Sequence, residues 1–529
     1  MGVFQAFATV SSLTLVSRVT GLAREIMIAA LLGSGPVAQA FFVAFRFPNM
    51  FRRFFAEGAF NMAFVPLFAK TLEGDGRAAA RDFAEEVMAG LFAVLVVLTL
   101  VAQLAMPWVI LGLAYGFRDD PEKLSLAILY GQIQFPYLMF MSLMALFGGV
   151  LNGFDKFAAA AGAPILLNIV MIAGMALAAS IDGDIGLWLS WSVFVGGVLQ
   201  FLLVARAAGK LGMNLSLRAP RWTPRLKRLV TLGAPGALAG GVTQINILIG
   251  TVIATFFDGA VVWLTLADRV YQLPLGVVGV GIGVALLPEL ARRVRAGQAA
   301  EAELALSRAV ALSMFVTLPA AAALVVIPKE VVRVLFGRGA FTEADVQATA
   351  LAVAIFAVGL PAYVLIKALS PAFFAVEDTR TPLRYAVVSM IVNVALSVGL
   401  APFIGWLGVA VGTVAAAYVN TILLWRGIAQ RGGPRLWRDL GGRILRIASA
   451  SALMEGAVSA AALWGAEYAL DPLLRYPMVL GLVALGIAVY AAAAFAVGAV
   501  TRVDLAAFAR ARAGGDDAAS RASPPQPDL

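Results

Sequence analysis

Cysteine and histidine are both absent from the 529 residues. Without cysteine there is no disulfide, no thiol nucleophile and no thiolate metal site. Without histidine the commonest general base and metal ligand is gone as well. Charge is scarce: 13% of residues are Asp, Glu, Lys or Arg, against about 25% in a soluble globular chain. No G-x-x-x-x-G-K-S/T run occurs, so no P-loop ATPase is built in, and Gly33-Ser34-Gly35 is a short turn instead of a phosphate-binding fingerprint. No pair of acids sits together inside an apolar segment, which removes the base or metal site an intramembrane enzyme would need. The first seventeen residues carry no basic side chain, and Arg18 and Arg24 interrupt the first apolar stretch instead of preceding it. That stretch is therefore read as a retained helix and not as a cleaved signal peptide.

What is abundant is apolar surface, at 61% hydrophobic residues. A hydrocarbon core of about 30 Å takes roughly 20 apolar residues per helix. Such segments recur from end to end, far longer than the roughly ten-residue alternating strands of a membrane barrel. The expected fold is all-α, a polytopic membrane protein of about fourteen spans. Their centres lie in 6–32, 37–69, 84–112, 124–151, 159–180, 185–206, 229–256, 260–290, 304–327, 346–372, 383–402, 405–426, 444–468 and 473–500.

Basic residues alternate between loops. Segment 206–228 holds Arg206, Lys210, Arg218, Arg221, Arg225, Lys227 and Arg228 with no acid; 426–446 holds six arginines against Asp439; 291–300 adds Arg292, Arg293 and Arg295. The intervening connection 181–184 has only Asp182 and Asp184. The positive-inside rule puts the basic loops, and with an even span count both termini, in the cytoplasm. The net charge of +9 is thus accounted for by membrane topology, without nucleic acid. The end of the chain, from Ala513 to Leu529, is rich in Gly, Asp, Ser and Pro and is expected to be disordered.

A repeat is visible at an offset of 225 residues. Phe135-Pro136-Tyr137 and Asn168 match Leu360-Pro361-Ala362 and Asn393, and Phe64 to Lys70 resembles Leu286 to Arg292 at a similar spacing. This predicts two pseudo-symmetric six-helix lobes related by an axis along the membrane normal. The N-lobe is 1–207, a basic cytoplasmic linker runs over 208–228, and the C-lobe is 229–430. Two C-terminal helices over 431–500 and a cytoplasmic tail over 501–529 follow.

An ionisable group deep in a bilayer needs water, a partner or a ligand. Most spans have none in their middle. The exceptions are Arg18, Arg24 and Glu25 in the first, Arg46, Arg52, Arg53 and Glu57 in the second, Asp268 and Arg269 in the eighth, and Lys367 in the tenth. Arg53 and Glu57 are four residues apart and pair on one helix face, so Arg52 points elsewhere as an open cation. Pro48 and Gly58 predict a bent or broken second span. Arg46, Glu25 and Glu289 are expected near span ends, Asp268 beside Arg269 as an internal pair, and Lys367 packing its stem. Arg18, Arg24 and Arg52 are expected to line a cavity. Guanidinium forks suit phosphate oxygens and stay charged at any relevant pH.

Three blocks carry a family resemblance. They are Ser17-Arg18-Val19-Thr20-Gly21-Leu22-Ala23-Arg24-Glu25, Ala40-Phe41-Phe42-Val43-Ala44-Phe45-Arg46-Phe47-Pro48-Asn49 and Phe51-Arg52-Arg53-Phe54-Phe55-Ala56-Glu57-Gly58-Ala59-Phe60. Together with Ala267-Asp268-Arg269-Val270-Tyr271-Gln272-Leu273-Pro274-Leu275-Gly276 they resemble the MurJ (MviN) lipid II flippases, of the multidrug/oligosaccharidyl-lipid/polysaccharide exporter superfamily. The resemblance implies fourteen helices, alternating access between the lobes without ATP hydrolysis, and lipid II, the undecaprenyl-diphosphate-linked peptidoglycan precursor, as cargo. It carries the family's functional arginines onto Arg18, Arg24, Arg52 and Arg269, and gives the last two helices a lipid-tail groove. Many members have Asp where this chain has Gln39, so an acid's gating role does not carry over.

The expected activity is a lipid II flippase in the bacterial inner membrane, not an enzyme. Ser17 and Asn49 are polar auxiliaries to the arginines, and Arg53, Glu57, Asp268 and Gln39 are supporting residues. No cofactor or resident metal is expected; the membrane potential or an ion gradient supplies the drive. The chain is expected to be a monomer among membrane lipids, with cell-wall synthesis proteins as possible partners. The competing readings are an exporter of another lipid-linked oligosaccharide or of drugs, an enzyme acting on polyprenyl diphosphates, and a membrane scaffold.

Overall fold

The computed structural model describes residues 3–56, 59–430, 436–465, 467–468 and 470–499, with backbone alone over 3–8, 51–56, 59, 234–243, 277–285 and 436–439. In lipid the backbone must satisfy its own polar groups, and these apolar runs do so by coiling. The first helices are α1 (Val3–Leu32), α2 (Pro36–Ala56), α3 (Ala59–Gly74), α4 (Gly76–Leu113), α5 (Pro121–Gln134), α6 (Tyr137–Gly153), α7 (Ala158–Ser180) and α8 (Ile185–Gly209). They are followed by α9 (Pro224–Ala254), α10 (Ala260–Arg295), α11 (Ala299–Val326), α12 (Pro328–Phe336), α13 (Glu343–Phe374), α14 (Arg380–Ile404), α15 (Leu407–Ala429), α16 (Leu436–Trp464) and α17 (Arg475–Ala496).

The ends follow local chemistry. Asp120 caps α5 by accepting from the Lys123 N–H, Asp184 caps α8 through Leu187, and Thr223 caps α9 through Leu226, with Pro121 and Pro224 at the first helical positions. Among the described residues, ten stretches are long and apolar enough to cross a membrane. The helix α1 is long enough but carries Arg18, Arg24 and Glu25. Every segment expected from the sequence holds helix, with two differences of detail. The stretch 124–151 is two helices, α5 and α6, because Pro136 has no N–H to continue the ladder and a turn at Phe135–Pro136 takes its place. The stretch 37–69 falls on α2 and α3, with residues 57–58 outside the described residues. The short amphipathic α12 was not anticipated at all; it lies between two apolar runs and carries Lys329, Glu330 and Arg333.

Contacts divide the chain into two compact units. The first is Met1–Val270 with Leu335–Ala352 and Leu383–Asn420; the second is Tyr271–Val334 with Val353–Pro382 and Thr421–Leu529. In the first, stacked rings of Phe60, Phe64 and Phe68 on α3 meet Phe83 of α4, with centroids 5.4–5.7 Å apart. Gly149 and Gly153, one turn apart on α6, let these rings approach: a Cβ at either would sit 2.7 Å or 2.6 Å from a phenyl carbon of Phe64 or Phe68. Small residues at this spacing are how membrane helices approach closely. In the second unit, Met314 of α11 packs with Ile447, Met454 and Val458 of α16 and Leu482 and Tyr490 of α17. The Tyr490 hydroxyl donates to the Phe315 carbonyl at 2.6 Å.

The basic linker is tied down within the first unit. Glu85, fully buried on α4, accepts from the Ser216 N–H at 3.0 Å, the Ser216 hydroxyl at 2.9 Å and Arg81 Nε at 3.0 Å, and also pairs with Arg218. Asp82 takes a second bond from Arg218 at 2.9 Å, and Glu86 accepts from Thr223 at 3.0 Å. Glu85→Ala strands these donors. Trypsin cleavage between Lys210 and Arg228 is expected to rise roughly tenfold or more, the size of one lost bond to a charged acceptor. An unchanged digestion rate would contradict that anchoring role.

Candidate anion site

Arg24 and Glu25, in the last third of α1, are folded inward. Arg24 is 7% exposed and Glu25 only 1%. Arg24 Nη1 donates to the Asn168 side-chain oxygen on α7 at 2.9 Å and lies 3.8 Å from the Met171 sulfur, while Nη2 pairs with the Glu25 carboxylate. The amide nitrogen of Asn168 donates back to α1, to the Ser17 carbonyl and the Thr20 hydroxyl, both at 3.1 Å. Asn168 therefore fixes the guanidinium plane relative to the helix that bears it. From α10, Arg269 Nε lies 3.4 Å from the same Glu25 oxygen. Two arginines share one carboxylate, leaving one positive charge in excess. Nε of Arg24 and the second oxygen of Glu25 are buried without a hydrogen-bond partner. Such open valences mark a site still able to take a polar ligand.

Other residues singled out in the sequence fall as follows. Arg18 is exposed on α1 and makes no hydrogen bond or ion pair among the described residues. Ser17 is half-buried and contributes its carbonyl to Asn168. Asn49 is partly buried in α2. The side chains of Arg52 and Arg53, and all of Glu57, lie outside the described residues. Gln39 is 2% exposed and donates to the Ser34 carbonyl at 3.0 Å, holding the turn between α1 and α2. Arg46 is partly buried, with Nη2 3.5 Å from the Thr265 hydroxyl of α10. Glu289 does sit toward a helix end, 2.8 Å from Arg293, and Lys367 is exposed on α13.

Two expectations are corrected. Glu25, in the last third of α1, is not an interfacial carboxylate but the buried hub of the cluster, because Arg24 and Arg269 both take it as counter-ion. Arg269 directs its guanidinium at Glu25 and not at the neighbouring Asp268, which is partly buried; adjacent residues on a helix point about 100° apart. One residue was missed. Asn168 stood out only as a landmark of the repeat, a lone amide in an apolar run.

The repeat has a structural counterpart. Asn393 of α14 donates to the Asn246 side chain of α9 at 2.7 Å, as Asn168 of α7 reaches α1. The offset of 225 carries Arg24 and Glu25 onto Ile249 and Gly250. The second half therefore does not repeat the Arg24–Glu25 pair; it contributes Arg269 to the cluster instead.

In the first turn of α5, Lys123 pairs with Asp258 of the α9–α10 connection at 2.6 Å and with Asp120 at 3.4 Å. The Lys123 N–H, and with it the ammonium, holds the Asp120 carboxyl below its usual range.

Long apolar helices with the buried Arg24–Glu25 pair among them define a polytopic membrane protein. The comparisons narrow this class. The family model of the lipid II flippase MurJ matches residues 28–483. The probable lipid II flippase MurJ of Rhizobium meliloti is 46% identical over 510 residues, covering 94% of both chains. Its namesake from Rhizobium tropici is 47% identical over 87% of both. Among solved structures, a lipid II flippase MurJ in an inward closed conformation superposes with a TM-score of 0.75 at 23% identity, covering 92% of this chain and 97% of that one. The chain belongs to the lipid II flippase MurJ family.

Proposed function

We propose that the protein moves lipid II from the cytoplasmic to the outer leaflet of the bacterial inner membrane, as a transporter and not an enzyme. The observation that carries this reading is the cluster of Arg24, Arg269 and Asn168 around Glu25, with Arg18 on the same helix unpaired among the described residues. A diphosphate presents several oxygens to guanidinium forks at once. It would replace the single Glu25 carboxylate as the partner of Arg24 and Arg269, and Arg18 and Arg52 would add further charge. Ser17 and Asn49 serve as polar auxiliaries. A drug exporter with cationic cargo is disfavoured by the excess of arginine.

Transport runs by alternating access between the lobes 1–207 and 229–430, with α16 and α17 taking the lipid tail and both termini in the cytoplasm. Substrate shifts the balance of states only through unequal affinity for them, and Glu25 supplies that inequality: where it holds both arginines they are closed to cargo. The membrane potential favours outward movement of an anion by about 2.3 kcal/mol per charge per 100 mV. The chain works as a monomer.

The test is complementation in cells depleted of their own flippase, read out by lipid II on each leaflet. The native chain is expected to restore peptidoglycan synthesis and clear lipid II from the inner leaflet. Accumulation there despite normal abundance of the chain would overturn the assignment.

A further inference from the structure

At the end of the first unit away from the basic linker, five connections meet. Gly33 ends α1 with φ +59°, and Gly339, between α12 and α13, has φ +60°. The two turns interlock through backbone. The Ala340 N–H donates to the Ala30 carbonyl at 2.7 Å, and a Cβ on Gly339 would sit 2.1 Å from that carbonyl oxygen. Above this contact Asp345, 5% exposed, gathers donors from three elements. It accepts from the Ser34 hydroxyl, from Trp263 Nε1 at 2.8 Å, and from the Thr342 N–H and hydroxyl at 2.9 Å and 2.8 Å. Gln39 steadies the Ser34 carbonyl, and Trp263 packs against Trp406, with ring centroids 5.2 Å apart. Beside it the Gly116 N–H donates to the Thr255 hydroxyl at 3.2 Å, and Lys123 holds Asp258.

These contacts tie together the two halves of the repeat. Ser34, Gly116 and Lys123 belong to the first; Thr255, Asp258, Trp263 and Asp345 belong to the second. We propose that Asp345 is a positioning residue of the transport cycle: held in place by Trp263 and Thr342 of its own half, it latches the outer ends of the two halves through Ser34, and cargo leaves only when that latch parts. The proposal rests on the transport reading above. Opening outward separates these halves, so the Ser34 bond and the Ala340–Ala30 bond break while the bonds from Thr342 and Trp263 travel with Asp345. The carboxylate is suited to this because the bonds from Thr342 and Trp263 keep it from being stranded when Ser34 leaves.

The competing reading is local. Thr342 and Asp345 form a capping box at the start of α13, since the Asp345 N–H also donates to the Thr342 hydroxyl at 3.3 Å. The two roles separate by mutation. Ser34→Ala with Trp263→Phe removes the donors from other elements and leaves the cap; Thr342→Ala weakens the cap and leaves those donors. The measurement is hydrogen–deuterium exchange on the full chain in nanodiscs, followed over peptides 28–36 and 337–345, alongside flipping in liposomes. The double variant is expected to raise exchange in both peptides together by roughly tenfold or more, the equivalent of one lost bond to a carboxylate, and to change the flipping rate. Thr342→Ala is expected to raise exchange at 337–345 alone. The latch is overturned if the double variant leaves peptide 28–36 as in the native chain, or if both peptides loosen with flipping unaltered. Failure of the native chain to flip lipid II at all would instead count against the transport assignment, and the exchange data would stand apart from it.

Discussion

Arg24→Lys is expected to abolish flipping, by roughly a hundredfold or more, while the chain remains folded and inserted. The charge is kept, so Glu25 is not left bare in the interior. What is lost is the fork. A lysine ammonium is a compact point charge and does not hold Asn168 and Glu25 at once in the plane that Asn168 sets. Two charge-assisted hydrogen bonds at about 1.5–3 kcal/mol each account for the size of the effect. Alanine is a poorer probe. Removing one member of a buried ion pair costs about 3–5 kcal/mol, a large part of the roughly 5–15 kcal/mol that holds a domain together. Transport measured in liposomes, with abundance and exchange behaviour as controls for folding, decides the point. Lysine supporting native rates would mean that charge alone suffices and that the Asn168 geometry is incidental.

The second large effect is expected at Glu25. Glu25→Gln removes the resident carboxylate but keeps an oxygen for Arg24 and Arg269. Arg24, nine-tenths buried, then has no counter-ion, and stability without ligand should fall by about 3–5 kcal/mol. A diphosphate should restore it. Affinity for lipid II is expected to rise roughly tenfold and turnover to drop, because no carboxylate takes the arginines back when the cargo must leave. Thermal unfolding with and without lipid II, together with single-turnover flipping, reads all three quantities. A variant that binds lipid II more weakly than the native chain would show that Glu25 orients the arginines for cargo and does not compete with it.

These residues differ in how plainly the sequence displays them. Arg18, Arg24 and Arg269 are legible because a charge inside an apolar run has few explanations. Glu25 was misread because it adjoins Arg24 in a segment whose ends are not sharply marked, and its second cation, Arg269, lies far along the chain. Asn168 is neutral, so no argument from charge reaches it; only the repeat flagged it. The break at Pro136 was hidden by apolar residues on both sides, where composition reads as one span. Asp345 was out of reach altogether. Its partner Ser34 is 311 residues away, and both look like ordinary turn residues until the fold brings the connections together. Long apolar helices are written locally in this chain; the bonds that set one helix against another are not.

The most direct test is an equilibrium binding titration of lipid II against the full chain in nanodiscs, native and Arg24→Lys side by side, across a range of salt. Saturable binding to the native protein that weakens as salt increases, and is reduced roughly a hundredfold in the variant, is what a pyrophosphate held by paired guanidinium groups requires. Equal affinity in the two proteins would place the head group elsewhere and leave the buried arginines as internal struts.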